Sequence, residues 1–336
     1  MPSADRGAAG LRYDELHRLG RTGVLRSGLG TLALGLAMVL VVPVVLSGGY
    51  LALGEPWGEA RVDPLTPPGL ALVCLSLAAA VPVTIVVTRL AHEVPGRWLV
   101  SVAGRVRWAW LLTCAGLALV ALVAAVALSL ALPETGGTPI EGAGDVATGQ
   151  VVAFAVLVVT LIPLQAAGGG VRVPRLPDAV ARRRAARGRA APAVAVAVPA
   201  LLFAVAHGSQ DLPVFFDRFA FGVVAGVLAL VTGGLEAAVA MHVLNNWGFF
   251  GLVLAFGDIR DALVTPEGTW WSIPVTLTQS LAYLGLVLLV ARRRGALDGD
   301  GADRFGTAAA ARVRFLVGSR SRWDGDRTAV MQWSMV

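Results

Sequence analysis

The sequence contains no lysine, and charged residues of any kind make up only 15% of its 336 positions. Soluble globular proteins carry about 25% charged residues and lack long uncharged apolar runs. The scarcity of charge therefore excludes an ordinary soluble domain. The 28 basic positions are all arginine, and they leave a formal net charge of +6. Attraction to anionic membrane lipids accounts for such a surplus, so we expect lipids and no nucleic acid among the partners.

Cysteine is scarce too, because Cys74 and Cys114 are the two cysteines in the chain. Both stand inside apolar runs, and no CxxC pair is present. This pattern excludes a disulfide framework and a cysteine-based metal site. We predict two buried free thiols that behave as small apolar side chains.

Long apolar runs dominate what is there, since 56% of the residues are hydrophobic. About 20 apolar residues are needed to cross a bilayer as a helix. The runs therefore predict an all-α, polytopic membrane bundle with about eight transmembrane helices, at residues 29–50, 69–91, 109–131, 149–167, 190–207, 216–232, 235–256 and 271–291.

These runs divide the chain into three parts. Residues 1–28 form a polar leader, and residues 29–291 form the membrane domain. Its four-helix core is predicted at about 149–256. Residues 292–336 are rich in glycine, aspartate and arginine, a composition that predicts a disordered tail.

Arginines concentrate in the leader, in residues 92–108 and 171–189, and after the last apolar run. Cytoplasmic loops carry an excess of basic residues. An even number of spans places all of these segments on the cytoplasmic side and the acidic loop 132–148 outside. We therefore expect a multi-pass protein of the plasma membrane with both termini in the cytoplasm. Alternating arginine and tryptophan, up to Arg107, predicts that 92–108 is an interfacial segment, with His92 at the interface.

Polar side chains interrupt the apolar stretch 201–250. His207 is one, and His242 and Asn246 are two more, spaced by four residues and so one turn apart on one helix face. Such groups are costly in hydrocarbon and mark a functional site by default. An imidazole and a carboxamide on one face can bind a metal or stabilise an oxyanion. Two structural alternatives stay open: an interhelical hydrogen-bonding pair on that face, and an interfacial histidine at position 207.

Two phrases in this stretch carry a resemblance to a known family. Phe203-Ala-Val-Ala-His207 fits the pattern FxxxH, and His242-Val-Leu-Asn-Asn246 fits HxxxN. In this order and with their flanks, they resemble the second and third motifs of the CPBP family. This family comprises intramembrane proteases of the CAAX-prenyl-protease and bacteriocin-processing (Abi) type. The resemblance covers roughly residues 90–256.

The resemblance implies an intramembrane endopeptidase of metallo or glutamic type. In such a site His207 would contact the attacking water together with a glutamate, and His242 and Asn246 would steady the oxyanion. If the site uses a metal, His207 and His242 would be its ligands and zinc the metal. The substrates implied are membrane-associated or prenylated peptides.

The first family motif, EExxxR, is where the match fails. After the phrase Pro163-Leu-Gln165, Gly169 and Gly170 occupy the two glutamate positions, and Pro174 occupies the arginine position. Glycine can neither accept a proton nor bind a metal. Removing a positioned acid–base group typically lowers a rate by about 10²–10⁴-fold. Glu236 lies six residues before His242, off its helix face, and is a poor replacement.

We therefore expect a CPBP-type protease homologue with impaired hydrolysis. A second function class stays open, a non-enzymatic pseudoprotease scaffold that holds a partner helix or a lipid chain in the former cavity. One geometric difficulty accompanies both. A rise of about 1.5 Å per residue puts His207 about 25 Å from Ala190, but His242 only about 12 Å from Gly234. A shared site requires the first helix to sit lower or to bend at its prolines.

Overall fold

A computed structural model describes residues 13, 16, 19–21, 23–52, 54, 66–132, 148–169, 190–207, 211–256 and 269–294. The helices of these residues are α1 (Val24–Ala52), α2 (Pro67–Ala78), α3 (Ala80–His92), α4 (Trp108–Ser129), α5 (Thr148–Gly169), α6 (Ala190–Val205), α7 (Leu212–Thr232), α8 (Glu236–Phe256) and α9 (Ser272–Arg293). The predicted acidic loop, the arginine-rich loop 171–189 and the predicted disordered tail lie almost wholly outside the described residues.

The predicted all-α membrane bundle is confirmed. Among the described residues, seven helices are long and apolar enough to cross a membrane, and α2 with α3 counts as one of them, over Pro67–His92. The predicted span 190–207 corresponds to α6, which has 16 residues. At about 1.5 Å per residue it covers about 24 Å, less than the roughly 30 Å of a bilayer core. The predicted span at 190–207 is therefore a helix too short to count among the seven.

The largest apolar cluster lies between α4, α7, α8 and α9. It includes Cys114, Phe221, Leu228, Met241 and Tyr283. The Tyr283 hydroxyl donates a hydrogen bond of 2.9 Å to the carbonyl of Ala237, which ties α9 to the first turn of α8. Two of these helices, α4 and α9, lie outside residues 149–256. Both cysteines are free and buried, as predicted.

Helix α5 joins the bundle through α2 and the second half of α8. Phe154, Val158 and Ile162 of α5 pack with Cys74 and Val253. The indole nitrogen of Trp247 donates a hydrogen bond of 2.9 Å to the carbonyl of Val158. These contacts, the α5–α8 seam, hold α5 beside the part of α8 that comes after His242 in sequence.

Small residues bring α6 against α7. A Cβ atom on Gly222 would lie 2.9 Å from the Cα of Ala200, and one on Gly226 would lie 3.1 Å from Cγ1 of Val196. Gly222 pairs with the later of the two α6 residues and Gly226 with the earlier, so the helices are antiparallel. The end of α6 therefore lies near the beginning of α7.

The segment between α3 and α4 is fastened to the turn between α7 and α8. Ser101 and Gly234 form an antiparallel β-bridge, and the amide of Val102 donates to the carbonyl of Gly233 at 2.9 Å. Gly233 has a φ of 70°, in the left-handed region that suits glycine at a helix C-terminus. A side chain on Gly234 would collide with those of Arg107 and Glu236.

Two side chains of this segment are buried against partners that the sequence pattern does not indicate. Arg107, predicted at the membrane interface, is buried in an ion pair with Glu236. His92, also predicted at the interface, is 2% exposed, and its Nδ1 lies 3.2 Å from the carbonyl oxygen of Arg21. Part of the leader lies against this end of the bundle, and it covers polar groups that the sequence pattern alone assigns to the surface.

Candidate functional site

The two motif histidines meet on the ring of Phe203. The centroid of the His207 ring lies 4.6 Å from that of Phe203, and the His242 centroid lies 5.5 Å from it, both in edge-to-face geometry. The two imidazoles can therefore be no farther apart than the sum of those distances. The C-terminal end of α6 and the middle of α8, which are separate in sequence, thus bring both histidines to the same phenyl ring.

The Phe203 and Phe221 rings link the two histidines, which the rise per residue predicts at different heights along their helices. The two phenyl rings stack at 5.9 Å between centroids, and Phe221 also lies 5.7 Å from His242. Side chains on an α-helix lean toward its N-terminus. The Phe203 ring therefore leans away from the end of α6 that carries His207 and reaches the level of His242.

The orientation of His207 follows from one short hydrogen bond. Its Nδ1 lies 2.6 Å from the carbonyl oxygen of Phe203, one turn earlier. A carbonyl oxygen only accepts, so Nδ1 carries the proton of this bond. The lone pair of the neutral ring is therefore on Nε2. His207 stands two residues after Val205, the last residue of α6, and its side chain is exposed.

His242 has the opposite environment. It is 8% exposed and lies within a continuous α8, with Phe203 and Phe221 against its ring. Within the described part of the chain its side chain makes no hydrogen bond. Its imidazole is therefore a buried polar group whose ring nitrogens are available to a guest.

Asn246 lies one turn beyond His242 on α8, as the spacing predicts. Its Nδ2 donates to Oε1 of Gln165 on α5, at 3.4 Å. This distance is long for an N–H···O hydrogen bond. The carboxamide thus connects the histidine face of α8 to α5, the helix on which the first family motif would stand.

Helix α5 brings no carboxylate to this place. Gly169 is its last residue, one turn beyond Gln165, and Gly170 and Pro174 lie outside the described residues. In the part of the chain that the structure covers, no group of three or more His, Cys, Asp or Glu side chains could hold a metal ion. A catalytic zinc has three protein ligands. The imidazoles of His207 and His242, which both contact the Phe203 ring, would supply only two of these three ligands.

Two other carboxylates of the bundle differ in their surroundings. Glu236 is bound by Arg107 at 2.6 Å, and its side chain is 2% exposed. Asp217 on α7 has a buried Oδ1 that finds no hydrogen-bond partner among the described residues. The prediction that Glu236 does not replace the missing glutamates therefore agrees with its position in the structure.

Comparison with protein families supports the resemblance. Residues 176–248 match the family model described as type II CAAX prenyl endopeptidase Rce1-like. Over this segment the chain is similar to that family. The matched segment contains both the Phe203–His207 and the His242–Asn246 motifs, and it begins after Gly169 and Gly170. Searches of curated proteins and of solved structures each give no match.

Three residues have contacts that the sequence reasoning did not predict. Gln165 was detectable, because it is a polar residue in an apolar helix, one turn before Gly169. Phe221 gave no signal, since a phenylalanine in an apolar helix is ordinary core. Arg107 carried a misleading signal, because its tryptophan neighbours are typical of the membrane interface.

Proposed function

We propose that this CAAX-protease-like membrane protein binds membrane-associated or prenylated peptides beside His207, His242 and Asn246, and that its peptide hydrolysis is impaired. One observation carries the proposal. His207 and His242 come from different helices to one phenyl ring, while α5, the helix that would supply the glutamates, ends in glycine at position 169.

The remaining side chains suit binding better than bond cleavage. His242 and Asn246 offer N–H donors to a carbonyl oxygen in a water-poor pocket, where such donors act strongly. His207 offers the Nε2 lone pair for a water proton. A glutamate that shares this work is missing, and loss of such a group costs about 10²–10⁴-fold in rate. Binding with slow or undetectable turnover follows.

Restoring the glutamates tests the proposal. The full chain and its Gly169→Glu/Gly170→Glu variant are purified in nanodiscs and supplied with a prenylated fluorogenic peptide. We expect peptide binding by both proteins and a turnover at least about 100-fold higher in the variant. Adding His207→Ala to the restored variant should remove the gain, because the first histidine shares in water activation.

Two results would contradict this proposal in different ways. If the unmodified chain cleaves the peptide and His207→Ala abolishes that cleavage, its hydrolysis is not impaired and another base acts. If neither protein cleaves or binds the peptide, the pseudoprotease scaffold is favoured, with a partner helix or a lipid chain as its guest. Peptide binding without turnover in the restored variant would show that the glutamates alone do not rebuild the catalytic site.

Zinc is the metal that two histidines of this site would hold, with a glutamate as the missing third ligand. We expect the unmodified chain to retain less than one zinc per molecule and the Gly169→Glu/Gly170→Glu variant to retain more. Elemental analysis of the purified proteins measures this, with His207→Ala/His242→Ala as the control. Equal zinc in all three would place any bound metal elsewhere.

A further inference from the structure

We infer that Gln165 is a positioning residue that sets the orientation of the Asn246 carboxamide. The inference rests on the proposed function, because it assigns Asn246 to the site. It begins with their contact, in which Nδ2 of Asn246 donates to Oε1 of Gln165 across the α5–α8 interface at 3.4 Å.

A carboxamide has two N–H donors and one carbonyl acceptor. When Asn246 gives one N–H to Gln165, its second N–H keeps a defined direction and remains for a bound carbonyl oxygen. Without Gln165 the Asn246 side chain can rotate about its terminal torsion, which is broad in energy. The orientation of the remaining donor would then be lost.

Other contacts hold α5 against α8 independently of the Gln165–Asn246 hydrogen bond. Neighbouring α5 residues Ile162 and Ala166 are buried, at 3% and 1% exposure, and Trp247 joins the same two helices through its bond to Val158. The other polar side chain in the second half of α5, Thr160, is exposed and donates back to its own helix at Val156. Gln165 is thus the polar group that α5 directs to α8.

Gln165 also lies close to the glycines that occupy the glutamate positions of the first motif. It stands one turn before Gly169, on the helix that has lost the glutamates, so it lies at the edge of the altered motif. A helix turn separates residues spaced by four by about 6 Å. The hydrogen bond between Gln165 and Asn246 therefore links α5 to α8 one turn before the glycine that stands at a glutamate position.

Two measurements test the inference. In the Gly169→Glu/Gly170→Glu background, Gln165→Met keeps the volume but removes the acceptor. We expect kcat to fall by between about tenfold and about 100-fold with KM nearly unchanged, since the oriented donor acts in the transition state. Gln165→Glu keeps an acceptor oxygen and should restore kcat. Trp247→Phe removes a different bond of the same seam and should leave kcat unchanged.

The second measurement needs no activity. Gln165→Met and Asn246→Ala are combined in the unmodified full chain, and the loss in Tm is compared with the two single losses. A shared hydrogen bond makes the combined loss smaller than their sum. The pair of Gln165→Met with Trp247→Phe should be additive. Additive losses for Gln165 and Asn246, or a kcat unaffected by Gln165→Met, would overturn the inference. If the Tm losses are non-additive but the Gly169→Glu/Gly170→Glu background shows no turnover, the Gln165–Asn246 interaction is supported and the proposed function is not.

Discussion

Arg107 and Glu236 form a buried, bidentate ion pair between two segments that are distant in sequence. Nη2 of Arg107 lies 2.6 Å from Oε2 of Glu236, and Nε lies 2.9 Å from Oε1. The guanidinium also donates to the carbonyl of Thr232 at 2.8 Å, and the backbone amide of Arg107 donates to Oε1 at 3.1 Å. One side chain thus joins the end of α7 and the beginning of α8 to the segment before α4.

Removal of Glu236 should destabilise the protein strongly. Breaking a buried pair leaves an unpaired charge, and this typically costs about 3–5 kcal/mol. We expect that loss for Glu236→Ala in denaturant unfolding of the detergent-solubilised protein. The control is Glu93→Ala, which breaks an exposed pair with Arg21, whose side chains are 63% and 52% exposed. Exposed pairs contribute about 0–1 kcal/mol.

A second variant separates the charge from the packing. Replacing both partners, as Arg107→Met/Glu236→Leu, removes the pair without leaving a lone charge, and it should cost less than Glu236→Ala alone. Equal losses for Glu236→Ala and Glu93→Ala would show that the buried pair has no special weight in the fold.

The α6–α7 contact predicts opposite signs for two glycine substitutions. Gly222→Ala places a Cβ atom 2.9 Å from the backbone of Ala200, and overpacking typically costs about 1–3 kcal/mol. Gly285→Ala on α9 adds a Cβ that meets nothing within 4 Å, and alanine is favoured over glycine in a helix by about 0.5–1 kcal/mol. Thermal unfolding should therefore show a lower Tm for Gly222→Ala and an unchanged or higher Tm for Gly285→Ala. A stabilising Gly222→Ala would mean that α6 packs less closely on α7.

The predicted orientation in the plasma membrane can be tested with single cysteines, because Cys74 and Cys114 are buried. Glu93 follows α3 at the end of the bundle that includes the leader, and Trp270 precedes α9 at the other end with 63% exposure. A membrane-impermeant maleimide should label Trp270→Cys in intact cells and Glu93→Cys only after permeabilisation. The reverse labelling would place the termini outside.

Sequence patterns within one helix predicted the features that depend on that helix alone. Apolar length predicted the helices, and a spacing of four predicted that His242 and Asn246 share a face of α8. The partners across helices were beyond such reasoning. Asn246 meets Gln165 from 81 residues earlier, and Arg107 meets Glu236 from 129 residues later. Nothing in the periodicity of one helix identifies the side chain that faces it.

The length of α6 shows a second limit. Residues 190–207 are apolar enough for a span, but the helix ends at Val205. Its residues Val196 and Ala200 face glycines of α7, a contact that its own sequence does not reveal. Hydropathy contains no information about which neighbour a helix meets. The burial of His92 has a similar origin, because a partly described leader covers it.

The Phe203 ring that contacts both imidazoles has a consequence for any acid–base cycle at this site. A phenyl ring carries no exchangeable proton and excludes water from the volume it fills. A proton that leaves a guest at His207 therefore cannot reach His242 through that ring. Any relay between the two histidines must pass around it, through the guest itself or through a water that enters with it.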